Sequence, residues 1–215
     1  MIMTQQILSS EEKQKAKDIL AFYIKQHCWK QIKEHDMMFG KGPGSRYVWQ
    51  MYMANALYNV EIMQLITFLF LQEVHEQIGH YNFQLTGREW SASPLLASIP
   101  MAAKLLLGEN INAFMVKRER KSYGLHNFVE GIPIPDLPVL IVDDVLNSTN
   151  SFVHCRKVCG QEHNLKLLPF IFAPLNKYSK GDKKKSSDYD HYLGNQFKAI
   201  SCVNLDDVFN SVELK

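Results

Sequence analysis

The sequence predicts an α/β protein: a doubly wound, mainly parallel sheet with a small N-terminal helical hood. Three observations carry that expectation. From Tyr81 onward, strand-like and helix-like segments alternate, as in a parallel sheet with crossover helices. Val139-Leu140-Ile141-Val142 is apolar without interruption, as a strand covered on both faces requires. Before Tyr81 the apolar positions recur at helical spacing, which divides the chain into a hood over residues 1–80 and an α/β core over residues 81–215.

In chain order, Ser9-Ser10-Glu11-Glu12 reads as a helix start, with a serine N-cap and acids in the first turn. Ile19, Leu20, Tyr23 and Ile24 continue that helix, which is expected to run into the low 30s. The Gly-rich run Phe39–Ser45 breaks it, Val48–Tyr52 reads as a short strand, and Asn59–Ile78 as a second apolar helix. Tyr81–Leu85 is strand-like, Thr86-Gly87-Arg88 reads as a tight turn, and Ser93–Leu107 as an amphipathic helix. Ile111–Val116, Val139–Val142, Leu167–Phe172 and Ala199–Val203 are expected strands. Helices are expected over about 150–161 and 205–209. The lysine-rich Asn176–Asp190 reads as a solvated surface loop.

The 215 residues suit one domain or a domain with a subdomain. With 24 Lys+Arg against 22 Asp+Glu, a net charge of +2 argues against a general nucleic-acid coat. No run of eighteen apolar residues is present, and the N-terminus has no apolar secretory core, so a cytoplasmic protein without membrane contact is expected. Cys28, Cys155, Cys159 and Cys202 are too scattered for a disulfide framework. Cys155 and Cys159, near His154 and His163, lie one helical turn apart; core packing accounts for that spacing without zinc.

In a doubly wound sheet, ligands bind beyond the carboxyl ends of the strands. There the buried run Val139–Val142 ends in Asp143 and Asp144, followed by Asn147-Ser148-Thr149-Asn150-Ser151 at a helix start. Amides at a helix N-terminus and small hydroxyls favour a phosphate, and the acids favour ribose hydroxyls. A bland reading of the same residues also stands: the acids end a strand, and Ser148 or Thr149 caps a helix.

These motifs resemble those of the type I phosphoribosyltransferases, and more narrowly the orotate branch, over about residues 36–209. Lys117-Arg118-Glu119-Arg120-Lys121-Ser122-Tyr123-Gly124 resembles that branch's catalytic loop, and Asn127–Gly131 the segment returning from it. Phe39-Gly40-Lys41 resembles the N-terminal segment that meets base and pyrophosphate, and Leu85-Thr86-Gly87-Arg88 stands at the pyrophosphate loop. Two departures are plain. Asn147-Ser148-Thr149-Asn150 lacks the family's phosphate-loop glycine, and Ala173–Lys177 lacks the arginine that reads orotate's carboxylate.

The resemblance implies transfer of 5-phosphoribose from phosphoribosyl pyrophosphate (PRPP) to a nitrogenous base, orotate or a related one, in pyrimidine nucleotide synthesis. It implies catalytic roles for Lys117, Arg118, Lys121, Asp143 and Asp144. It implies PRPP or base contacts at Lys41, Thr86, Gly87, Arg88, Asn147, Ser148, Thr149, Asn150 and Ser151. Magnesium held near Asp143 and Asp144, directly or through water, and a homodimer are implied in the same way. The alternative on the same fold is a regulator that binds PRPP or a nucleotide without catalysis.

Overall fold

The structure is a computed structural model that describes residues 8–31, 49–119, 128–147, 150–177 and 197–213. The first helix, α1 (Ser10–Tyr23), starts as the sequence predicts. The Ser9 hydroxyl accepts from the Glu12 amide at 3.2 Å while the Glu12 carboxylate accepts from the Ser9 amide at 2.8 Å, a reciprocal capping box. Its end differs from the expectation of a helix into the low 30s. After Tyr23 the coil widens into a π turn over Ile24–Cys28, and Trp29–Gln31 is then extended as β1. The cause is non-local: β1 pairs antiparallel with β2 (Trp49–Met51), a contact that helical periodicity cannot show.

A short helix, α2 (Ala54–Leu57), leads to α3 (Val60–Ile78), the longest in the described chain. The Asn59 side chain caps α3, and Gly79, at φ 82°, ends it in the left-handed conformation that glycine adopts without steric cost. Then come β3 (Gln84–Arg88), α4 (Ser93–Leu107), β4 (Asn112–Val116) and β5 (Val129–Glu130). Next follow β6 (Val139–Val142), β7 (Val145–Leu146), α5 (Asn150–Lys157, widening to a π turn through Glu162) and β8 (Leu167–Asn176). The last described elements are β9 (Lys198–Asn204) and α6 (Leu205–Asn210).

The expected doubly wound sheet is present. Strands β4, β3, β6, β8 and β9 lie side by side and parallel, with β5 antiparallel on the β4 edge. β7 rejoins the edge of β8 that β6 occupies, since β9 holds the other edge. Side chains alternate between two cores, as strand pleating dictates. Leu140, Val142 and Phe172 pack with α1, α3 and α4, whereas Val139, Ile141 and Ile171 pack with α5. The edge-to-face contact of Phe70 on α3 with Phe172, centroids 4.7 Å apart, ties the N-terminal helices to the sheet. Pairs of this kind add about 0.5–1.5 kcal/mol beyond area burial.

A second local expectation is overturned. Thr86-Gly87-Arg88, read from sequence as a tight turn, is the carboxyl half of β3, which starts at Gln84 rather than Tyr81. Gly87 is extended opposite Met115 of β4, and its value is space rather than turning. A Cβ here would sit closer than 3.0 Å to both the Ala92 Cβ and the Val142 carbonyl oxygen. No helix among the described residues is long and apolar enough to cross a membrane.

Candidate active site at the carboxyl edge of the sheet

Three neighbouring strands deliver charge to one edge. β3 ends at Arg88 opposite Val116, the last residue of β4, and Lys117 follows Val116 directly. On the other side of β3, β6 ends at Val142 and is followed by Asp143 and Asp144. Placing Arg88, Lys117 and the acid pair together is thus a property of register.

The acid pair stands where strand pairing lapses. Val142 lies opposite Phe172 and Val145 opposite Leu175, with the chain between them turned out of the ladder. Pro174 of β8 faces that gap, and proline has no amide hydrogen to offer a neighbouring strand. The Asp143 amide still donates to the Phe172 carbonyl at 2.9 Å, which fixes where the interruption begins. The Asp143 carboxylate accepts from the Asp144 amide at 3.0 Å. Burial, then the charge of Asp143 and a hydrogen bond shared with its carboxyl, push the Asp144 carboxyl up to about 7. Below that pH Asp144 is a neutral acid able to donate as well as accept, which suits recognition of hydroxyl groups.

Lys117 is held at each of its polar groups. Its amide donates to the Phe128 carbonyl at 2.7 Å, which extends the β4–β5 pairing. Its carbonyl accepts from His154 Nε2 of α5 at 2.7 Å, so that ring nitrogen carries the proton. Its ammonium, 8% exposed, meets the Glu130 carboxylate at 2.6 Å. Neither Glu130 nor His154 is singled out for this site by sequence reasoning. The signal was present in β5 lying next to β4, but hairpin register cannot be read from a two-residue strand.

The other expected residues fall into distinct places. Arg88 and Asp143 both act electrostatically on the Cys155 thiol, which burial pushes well up; this places all three within one neighbourhood under the sheet edge. Thr86 is fully buried and donates to the Phe114 carbonyl at 3.1 Å, inside the sheet. Arg118 is exposed, as are Asn147 and Asn150, while Ser151 is buried in the first turn of α5. Lys41, Lys121, Ser148 and Thr149 lie outside the described residues. All four cysteines are buried, and Cys155 and Cys159 pack in the core beneath α5.

Among the described residues, no three His, Cys, Asp or Glu side chains converge as a protein-caged metal would require. Two adjacent carboxylates nevertheless fit magnesium, which keeps its waters and relies on one or two carboxylates plus substrate oxygens.

No family model matches the chain. The orotate phosphoribosyltransferase of Buchnera aphidicola subsp. Acyrthosiphon pisum is 26% identical over 129 residues, covering 60% of this chain and 59% of that protein. Thus the similarity spans about three fifths of the curated relative's length. A solved phosphoribosyltransferase from Corynebacterium diphtheriae superposes with a TM-score of 0.66 at 17% identity, over 91% of this chain and 99% of that one. An orotate phosphoribosyltransferase from Mycobacterium tuberculosis, in complex with PRPP, superposes with a TM-score of 0.60 at 15% identity, over 90% and 92% of the two chains. The fold is that of the type I phosphoribosyltransferases. Within that class, the chain is similar to the orotate phosphoribosyltransferases in both sequence and architecture.

Proposed function

We propose that this chain binds PRPP and transfers its 5-phosphoribosyl group to a nitrogenous base, orotate or a related one, releasing pyrophosphate. The observation that supports this reading is that strand register sets Arg88, Lys117, Asp143 and Asp144 at the neighbouring carboxyl ends of β3, β4 and β6. In such a transfer the anomeric C–O bond breaks and its electron pair leaves with pyrophosphate. The base nitrogen forms the new C–N bond and gives up its proton to solvent. Positive charge builds on the ribose and negative charge on the leaving group.

The residues meet those demands separately. Arg88 and Lys117 supply fixed positive charge toward the leaving group, and exposed Arg118 adds to it. Asp143 and Asp144 orient the ribose through its hydroxyls, and the start of α5 at Asn150 and Ser151 supports the 5-phosphate. Magnesium, when bound, would neutralise pyrophosphate charge between those carboxylates and the substrate. Lys41, Lys121, Ser148 and Thr149 belong to the same proposal, on the motifs that they occupy. So does a homodimer, for which exposed Met101 and Leu105 of α4 offer an apolar surface. The hood and core of residues 1–80 and 81–215, and a cytoplasmic place for the protein, complete the reading.

The test incubates the full chain with PRPP, Mg²⁺ and a panel of bases, and follows pyrophosphate. Base-dependent release is expected; no turnover with any base by the folded protein would refute the transferase. A second reading, a PRPP-sensing regulator, is favoured by the glycine-free Asn147–Asn150 loop and by Lys117 already bound to Glu130. Thermal stabilisation by PRPP without product would select it.

A further inference from the structure

Trp90 is the residue at this edge whose conformation the fold itself does not explain. Its indole is 83% exposed, and its backbone lies at φ 68°, a region costly for any side chain larger than glycine. The Ser91 amide donates to the Glu89 carbonyl at 3.0 Å, which makes Trp90 the centre of a strained three-residue turn. Both flanks are anchored. The Glu89 amide donates to the Val116 carbonyl at 2.8 Å, and the Ala92 amide to the Arg88 carbonyl at 3.2 Å as α4 begins. Gly87 lets Ala92 and the end of β6 close against this turn from below. Among the described residues the indole meets no other ring and no hydrogen-bond acceptor.

Position supplies the remaining constraint. β3 lies between β4, which carries Lys117, and β6, which carries Asp143, so Trp90 leaves the sheet in the middle of the candidate site two residues beyond Arg88. An indole face is electron-rich, and it offers nothing to a phosphate or pyrophosphate. It does offer a rigid surface to a flat, electron-poor nitrogen heterocycle, and such stacking tolerates many bases because each has a π face.

We propose that Trp90 is a base-binding residue that stacks on the face of the base, and that its strained turn holds the ring out for that purpose. This rests on the phosphoribosyl-transfer reading above. It adds a base contact that does not depend on an arginine in the last part of β8, where this chain has Ala173-Pro174-Leu175.

The test measures binding of uridine and adenosine 5′-monophosphates, ribose 5-phosphate and PRPP to the full chain by calorimetry. Trp90→Ala is expected to weaken both nucleotides roughly tenfold or more, the scale of one base–aromatic stack. Ribose 5-phosphate and PRPP, which carry no base, should stay within about twofold of wild type on the same physical ground. Trp90→Phe should recover most of the nucleotide affinity. Trp90→Gly accepts the positive φ, so it should melt no lower than wild type while still losing nucleotide affinity, which separates ligand contact from folding. Equal losses for all four ligands, or no nucleotide loss, would overturn the platform while leaving PRPP binding intact as a finding. A change in molecular mass in Trp90→Ala with unchanged nucleotide affinity would assign the indole to a subunit contact and overturn it too. Wild-type protein that binds none of the four would overturn both this inference and the reading beneath it.

Discussion

Gly87→Ala tests whether the site edge is built as described. The added methyl group would fall inside 3.0 Å of both the Ala92 Cβ and the Val142 carbonyl oxygen, with Val142 Cγ2 at 3.4 Å as well. Neither close neighbour can swing away as a long side chain could. The end of β6 is tied to β8 through the Asp143 amide, and Ala92 is held by the Arg88 carbonyl. Relief must come from moving the start of α4 and the end of β6 away from β3 by roughly an ångström or more, given ordinary carbon contacts of roughly 3.5–4.0 Å. Overpacking costs typically about 1–3 kcal/mol, and two rigid contacts place this case near about 3 kcal/mol. For a chain of this size that lowers Tm by roughly 6–12 °C. Gly160→Ala is the matched control: nothing lies within 4 Å of its added Cβ, so it should be neutral or slightly stabilising. Urea and thermal unfolding of both variants decide the matter. A Gly87→Ala protein within about 0.5 kcal/mol of wild type would refute the packing argument, since surface changes fall in that range.

Three further outcomes are expected. Asp144 titrates in the fold at about 7 rather than 3.8, so the fold favours its neutral form. Its burial therefore costs nothing well below the ordinary carboxylate range, costs more as pH rises, and costs most above about 7. In chelator, Asp144→Asn should match wild type in urea midpoint near pH 4 and exceed it at pH 8, by on the order of 3 kcal/mol, while losing PRPP-dependent activity. An advantage independent of pH would refute that account. Glu130→Gln frees the Lys117 ammonium from its 2.6 Å partner. It should tighten PRPP binding roughly threefold to tenfold, by removing a competing anion, at a stability cost of about 1–3 kcal/mol because the Lys117 ammonium left behind is buried; calorimetry that shows weaker binding would place Glu130 in ligand recognition instead. Ser9→Ala removes one half of the α1 capping box and should cost about 1 kcal/mol in chemical unfolding without altering PRPP affinity; an unchanged urea midpoint would show that the cap contributes nothing.

The parts of the fold legible in sequence are those where one local force dominates. Ser93–Leu107 is helical as expected because its apolar spacing and Pro94 near the N-terminus agree. Val139–Val142 is a strand covered on both faces, as its unbroken apolar run requires. Misplacements occur where a distant partner decides. Trp29–Gln31 follows β2 rather than helical periodicity, and Thr86-Gly87-Arg88 is extended because β4 and β6 flank it. Leu167–Phe172 continues as strand to Asn176 because β7 and β9 pair with that extension despite Pro174. In the site, Asp143 and Asp144 are legible because they end a recognisable strand. The grip on Lys117 by Glu130 and His154 is not, because it joins residues 13 and 37 positions away through strand register and helix packing.

His154 gives the site a property beyond its list of groups. Its ring N–H, one turn into α5, is bonded to the carbonyl at the end of β4. The first turn of α5 and the cation at Lys117 are therefore braced by a short strut that crosses from helix to strand. A brace of this kind fixes the span between two ends of a site before any ligand arrives. If the site takes PRPP as proposed, a ligand with an anion at each end would be gauged for length as well as charge, as by a calliper whose jaws are set during folding.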